Sequence, residues 1–327
     1  MLTSPATNHS TDDSSVVAMA KALLERQPTL PLPGSGRTLE RWRFLAEVAG
    51  RDLCVIKVLE AHYDAVAILA ELGSAAPQPG ELWAVWAAEP PGLALEFVPL
   101  ANDSGILTGS KAWCSGADIV SHALITVRQG DERQLVRVAL TSEGVSEPPH
   151  SWAAVGMSRV VSGTLHFDSV AAQRVGESGE YLSRPGFWHG GAGIAACWFG
   201  GACTIAETLR VHPKVAKDAH AAAHLGAIDM QLSAAAALLK QLAETLDAAP
   251  RLPHIPQTMR VRSFVERVAT ETIDRVGRAL GAGPLCMDEQ HAHRCADLTT
   301  FLRQSHAERD WETQGRHAAE DNQPWKL

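Results

Sequence analysis

Lys111, Ala112, Trp113, Cys114 and Ser115 form the run of greatest chemical interest in this sequence. Side chains alternate along a strand, so Trp113 and Ser115 share a face and present a broad aromatic plane with a hydroxyl nearby. The same spacing suits a sheet-core aromatic followed by a turn at Ser115-Gly116. His189 lies in a glycine-rich opening beside Trp188, where an imidazole can move a proton near neutral pH. It equally suits the first turn of a helix, bonded to backbone. Gln304, Ser305, His306 and Glu308 read either as a polar site or as the solvated face of a charged terminal helix. His291 and His293 are two residues apart, which on a helix turns the rings to different faces, so no metal site is expected. Gly-x-Ser-x-Gly, Walker and His-Glu-x-x-His patterns do not occur, which makes metal and hydrolase readings poor.

The 327 residues are 46% hydrophobic and 20% charged, enough apolar chain for a large core in one elaborate domain or two. Twenty-nine Lys+Arg against 37 Asp+Glu give a net charge of −8 with no basic run, so no nucleic-acid partner is expected. Cys54, Cys114, Cys197, Cys203, Cys286 and Cys295 make no Cys-x-x-Cys pair and no disulfide framework. They read as reduced, mostly buried thiols of a cytoplasmic protein. The first residues lack the basic and apolar regions of a signal peptide, and no uninterrupted apolar run reaches membrane-spanning length.

Those chemical residues need elements to hold them. Residues 1–36 are rich in Ser, Thr, Asp, Pro and Gly and are expected to form a disordered tail, with one short amphipathic turn at Val16–Leu24. Residues 37–78 carry Leu45, Val48, Leu53, Ile56, Leu59, Val66 and Leu69 at helical spacing and make a short helical segment closed by Gly73. Across 79–172, short runs rich in Val, Leu, Trp and Thr alternate with Gly, Pro, Asn and Asp, the mark of a central β-domain. Residues 173–318 return to helical period, with Arg260–Leu280 and Asp288–His317 each read as helical, and 319–327 form a tail. Gly190, Gly191, Gly193, Gly200 and Gly201 crowd the first helix of this set, so helices must approach closely there. Segregated helices and strands give an α+β fold: short N-terminal helices, a central β-barrel-like domain and a C-terminal antiparallel four-helix bundle. Gly190-Gly191-Ala192-Gly193 follows no strand, which argues against a nicotinamide-type Rossmann domain.

Gly105–Val127 and Trp152–Val170 resemble the central β-domain of the acyl-CoA dehydrogenase family, whose strand Gly-x-Lys-x-Trp-x-Ser/Thr lies against a flavin. The resemblance implies FAD, with Trp113 against the isoalloxazine and Ser115 near its N5 edge. Ala87–Gly92 is similar to the family's Thr-Glu-Pro-x-x-Gly-Ser loop beside flavin and thioester, with Ala88 and, approximately, Ala94 in the hydroxyl positions. For the dinucleotide the resemblance offers Arg210, without the Phe-Gly and later Gln that accompany it in the family, and the glycine-rich turn at Gly281 and Gly283. Those glycines equally suit a helix C-cap before Pro284.

The implied activity is α,β-dehydrogenation of an acyl thioester, in which a carboxylate removes the α-proton while hydride passes to flavin N5. Neither family position for that carboxylate holds an acid, one falling near His189 and the other near Gln304, so His189 and Glu308 are the candidate catalytic groups. Acyl-CoA or another small acyl substrate, an electron-transfer flavoprotein and a homodimer or homotetramer are the partners implied. A flavin-dependent monooxygenase of the same fold, lacking the carboxylate, is the first alternative. A catalytically silent homologue acting as partner subunit is the second. The lead before the sheet is shorter than the family's N-terminal helical domain, which forms one wall of the acyl pocket.

Overall fold

The apolar periodicities resolve into ten α-helices and seven strands in a computed structural model that describes residues 13–129, 132–147, 152–321 and 325. In chain order these are α1 (Asp13–Arg26), α2 (Thr38–Arg51), α3 (Leu53–Glu71), β1 (Trp83–Trp86), β2 (Leu95–Pro99), β3 (Ser104–Ser115), β4 (His122–Gln129), β5 (Glu132–Ala139), β6 (Val145–Ser146) and β7 (Ser162–Val175). There follow α4 (Glu180–Ser183), α5 (Pro185–Arg210), α6 (Ala219–Ala248), α7 (Ile255–Leu280), α8 (Gly283–Met287), α9 (Glu289–Phe301) and α10 (Glu308–Glu320). The chain divides into two compact units, one of Met1–Leu30, Cys54–Ala153 and Ser158–Tyr181, the other of Pro31–Leu53, Ala154–Met157 and Leu182–Leu327.

The first unit is built on a closed five-strand barrel. β4, β2, β3, β7 and β5 pair in that order, and β5 pairs antiparallel with β4 to close the ring. Closure removes free sheet edges. β1 adds to β4 in parallel and β6 adds to β7 antiparallel. Leu95, Phe97, Leu107, Leu165 and Phe167 are buried at alternating positions of their strands. Gly105 is required by the close pairing of β2, since a Cβ there would sit 2.3 Å from the Phe97 ring. α3 is tied to the sheet by the Trp83 N–H, which donates to His62 Nδ1 at 3.3 Å.

The expected disordered tail is corrected from Asp13 onward. α1 forms because Val16 and Ala20 are fully buried, and Tyr63 Oη on α3 donates to the Gln27 carbonyl just beyond its end at 2.6 Å. Residues 1–12 lie outside the described residues. Three helices therefore precede the sheet, and the one or two helices expected over 37–78 are two, separated at Asp52, with α2 and α3 falling in different units. The β-domain runs three residues past the expected 172, to Val175.

In the second unit α5 is the core helix, packed by α2, α6, α7 and α9. Its glycines are what permit this. A Cβ on Gly200 would lie 2.0 Å from the Ala46 carbonyl of α2, and one on Gly193 would meet Leu45 at 3.4 Å. Asp247, near the end of α6, clamps the start of α2: its carboxylate accepts from Gly36 N at 2.9 Å, Thr38 N at 3.0 Å and Thr38 Oγ1 at 2.6 Å. The single helical run expected over Asp288–His317 is interrupted at Leu302–Ala307, where a 3-10 turn leads to Ala307 at φ +47°. α10 then extends to Glu320, beyond the expected boundary at 318.

Candidate functional site

Strand β3 decides where the indole goes. Gly105, Leu107 and Lys111 are buried at odd positions, whereas Ala112 and Cys114 are buried at even ones. The phase changes because β3 carries one extra residue between Lys111 and Cys114, which pair with Leu165 and Gly163 of β7. Trp113 absorbs the bulge at φ +60°, in the left-handed region that a bulky side chain rarely occupies. Without the bulge, unbroken alternation would have aimed Trp113 to the same side as Leu107 and Lys111. With it, the indole is 57% exposed. Simple alternation places Trp113 and Ser115 on one face; which way that face turns is set by the bulge.

Hydrogen bonds fix the surrounding pieces. Trp86 Nε1, at the end of β1, donates to the Ser115 carbonyl at 3.2 Å, and the Ser115 and Ser162 hydroxyls lie 2.7 Å apart across β3 and β7. Lys111 points inward and is 3% exposed. Its Nζ donates to the Thr126 carbonyl at 2.7 Å and to Thr126 Oγ1 at 3.0 Å, and Thr126 Oγ1 donates to the Ala87 carbonyl at 3.3 Å. Burial pulls the ammonium pKa down to about 8, partly opposed by the Glu89 carboxylate. Burial also pushes the Cys114 thiol up to about 12, so this cysteine is a core group. One tie thus joins β3, β4 and the loop carrying Ala88.

Beside Ala88 and Lys111, a cleft also lined by Glu89, Pro90, Ser110 and Thr126 holds about 10 Å³, room for one water. Glu89 Oε2 accepts from Arg133 Nε at 3.0 Å, while its Oε1 is buried without a hydrogen-bond partner among the described residues. On the neighbouring stretch of β3, Ser110 Oγ lies 2.5 Å from Nδ1 of His166, its cross-strand partner on β7. Sequence reasoning passed over Lys111, Ser162 and His166 as chemical groups. The Gly-x-Lys spacing was visible, but strand pairing alone brings Ser162 and His166 to β3.

The remaining candidates lie in the helical unit. His189 is 2% exposed and its Nε2 donates to the Leu252 carbonyl at 2.8 Å, with the His254 ring 6.0 Å away. The ring is enclosed and one of its nitrogens is committed to backbone. Glu308 opens α10 and is exposed, as are Gln304 and His306, so this set is the solvated end of the connection from α9. Arg210 ends α5 with one edge of its guanidinium, Nε and Nη2, held by the two carboxylate oxygens of Glu207 at 2.5 Å. Gly281 sits at φ +71° as the C-cap of α7, its N–H bonded to the Gly277 carbonyl at 2.8 Å. Gly281 and Gly283 both have open space where a Cβ would be. Lys214 donates to the Ala279 carbonyl at 2.7 Å, which brings the segment after Arg210 alongside this turn.

Cys295 Sγ lies 3.5 Å from His291 Nε2, and His291 Nδ1 lies 3.1 Å from Thr208 Oγ1. The group edges a shallow groove of about 470 Å³ lined by Val155, Leu285, Ala292 and Thr299. Burial raises the thiol to about 11 and lowers the imidazole, so the pair is neutral and Cys295 is not an activated nucleophile. Among the described residues no cluster of His, Cys, Asp and Glu could hold a metal ion.

No family model matches the sequence, and no curated protein matches it. Among solved structures the chain is similar to dibenzothiophene monooxygenase TdsC from Paenibacillus sp. A11-2, in complex with FMN and indole. The TM-score is 0.75 at 16% identity, over 96% of this chain and 97% of that one. It is also similar to butyryl-CoA dehydrogenase from Megasphaera elsdenii, with TM-score 0.77 and 14% identity over 96% and 100%. A third likeness is to FkbI, for biosynthesis of the methoxymalonyl extender unit of Fk520, with TM-score 0.76 and 15% identity over 94% and 99%. At such identities the likeness is one of fold. The chain has the acyl-CoA dehydrogenase fold.

Proposed function

We propose that this chain is a flavin-dependent oxidoreductase that oxygenates a small organic substrate, with the isoalloxazine carried on Trp113. The observation that carries the reading is the indole itself: a large aromatic held out of the barrel at an unfavourable φ, on the strand whose Ser115 hydroxyl lies 2.7 Å from that of Ser162. Strain of this kind is retained where the surroundings use it. A flat, electron-poor ring would stack on an exposed indole, and the Ser115 hydroxyl two residues on would bond at a ring edge. The Lys111–Thr126–Ala87 tie orients the adjoining loop.

Reduced flavin supplies the two electrons by which one atom of O₂ enters the substrate and the other leaves as water. Dehydrogenation of an acyl thioester would need a base, and His189 is spent on Leu252 while Glu308 stands on a solvated helix end. This favours oxygenation over dehydrogenation. The FAD implied by resemblance would draw its adenosine grip from Arg210, Gly281 and Gly283. Arg210 stands exposed in a surface ion pair with Glu207 and lacks the Phe-Gly and later Gln that complete the grip in the family, which favours FMN. Helices α5, α6, α7 and α9 are taken as the antiparallel four-helix bundle of the fold. The location is taken as cytoplasmic.

The test is flavin titration of the purified chain followed by fluorescence quenching. FMN is expected to bind at least as tightly as FAD, and Trp113→Ala to weaken binding about tenfold, near 1.4 kcal/mol. A chain that takes up neither flavin overturns the reading. With reduced FMN and candidate substrates, oxygen uptake stoichiometric with product supports oxygenation. Anaerobic conversion of an acyl-CoA to its enoyl product, with electrons passing to an electron-transfer flavoprotein, would replace it with the dehydrogenase. Flavin uptake without turnover except beside a complete homologue would identify a silent partner subunit.

A further inference from the structure

Ser115 closes β3 and Ser162 opens β7, and the two are cross-strand partners whose backbones are pinned. Trp86 Nε1 holds the Ser115 carbonyl, and Gly116 N donates to the Val161 carbonyl at 2.8 Å, each bond within one residue of a serine. What stays free to turn is a pair of hydroxyl protons. Ser162 Oγ has two acceptors in reach, Ser115 Oγ at 2.7 Å and the Val160 carbonyl at 3.3 Å, and a single proton to give. Each choice fixes what Ser115 can do. With the Ser162 proton on Ser115 Oγ, the Ser115 proton is released to donate to a third group. With it on the Val160 carbonyl, Ser115 donates to Ser162 Oγ and keeps a lone pair to receive an N–H from that group.

A flavin requires both arrangements, because its N5 accepts a hydrogen bond when oxidised and carries a hydrogen when reduced. Resting on the reading that Ser115 bonds at the ring edge, we infer that Ser162 is a positioning residue whose hydroxyl reverses the polarity of Ser115 between the two redox states, with the Val160 carbonyl as terminal acceptor. No covalent bond forms or breaks in the exchange; two O–H groups rotate about pinned backbones. Removing the Ser162 hydroxyl affects the two states unequally. Beside the oxidised ring Ser115 loses a donor and is left with an unfilled lone pair. Beside the reduced ring it loses an acceptor, and a half-buried O–H left with nothing to receive it carries the larger penalty. Ser162 therefore favours reduced over oxidised flavin.

The full chain is titrated with oxidised FMN and, under anaerobic conditions, with reduced FMN, and the midpoint potential of the bound flavin is measured against a reference dye. Ser162→Val and Ser162→Thr are compared, since both suit a strand and they differ by one hydroxyl. Ser162→Val is expected to weaken reduced FMN about tenfold more than oxidised FMN, which lowers the two-electron potential by about 30 mV. Ser162→Thr is expected to stay within about twofold of the wild type in both forms, and in a Ser115→Ala background the effect of Ser162→Val on the potential is expected to vanish. Equal weakening of both forms by Ser162→Val, a threonine that fails to hold the potential, or a shift that persists without the Ser115 hydroxyl would overturn the inference and leave the flavin reading standing. A chain that takes up neither form of flavin removes both.

Discussion

Trp113 combines two properties that core residues do not combine: backbone strain and exposure. A residue kept for stability would sit in a favourable region and bury its ring. Replacing it by glycine removes the left-handed penalty, on the order of 1–2 kcal/mol for a side-chain-bearing residue, and sacrifices little buried surface. Trp113→Gly is therefore expected to leave the urea midpoint unchanged or raise it, while flavin affinity falls as in Trp113→Ala. A large loss of stability would return the indole to a packing role. The motif around it was legible because Gly-x-Lys-x-Trp-x-Ser is a string. The bulge was not, since an extra residue shows itself only against the strand it pairs with.

Elements in the helical unit are spaced by what α5 lacks. Gly200 sits inside a helix, where alanine would ordinarily add about 0.5–1 kcal/mol of stability. Here the added methyl would fall 2.0 Å from the Ala46 carbonyl of α2, and backbone cannot step aside cheaply. Gly200→Ala is expected to cost roughly 1–3 kcal/mol in denaturant unfolding. Gly277→Ala in α7, where a Cβ meets open space, is the control and is expected to be neutral or stabilising. The crowded glycines of α5 announced a close approach in the sequence, but which helix approaches at which glycine came from packing. α1 was read as tail because its apolar pattern is short, and burial against other elements is what makes such a segment helical.

At the scale of the whole molecule, acid sensitivity has an internal source that composition conceals. His62 is 3% exposed and accepts the Trp83 N–H, and burial pulls its pKa from 6.5 to about 4, partly opposed by Glu81. The unfolded chain therefore takes up a proton that the folded chain refuses. Stability from this group is complete above pH 6.5 and is lost as pH falls toward 4, by up to roughly 3 kcal/mol. His62→Gln is expected to flatten that part of the urea-midpoint profile between pH 6.5 and 4.5, and a profile unchanged by the substitution would contradict the assignment.

The sequence by itself determined the order of helical and extended segments, the close-packed glycine helix and the string around Trp113, because period and residue type are local properties. Tertiary structure alone decided that five strands close on themselves, that Trp113 turns outward while Lys111 turns in, that His189 is spent on a carbonyl and that Ser162 stands against Ser115. Each of those depends on groups distant in sequence meeting in space, and no local pattern encodes which groups those will be.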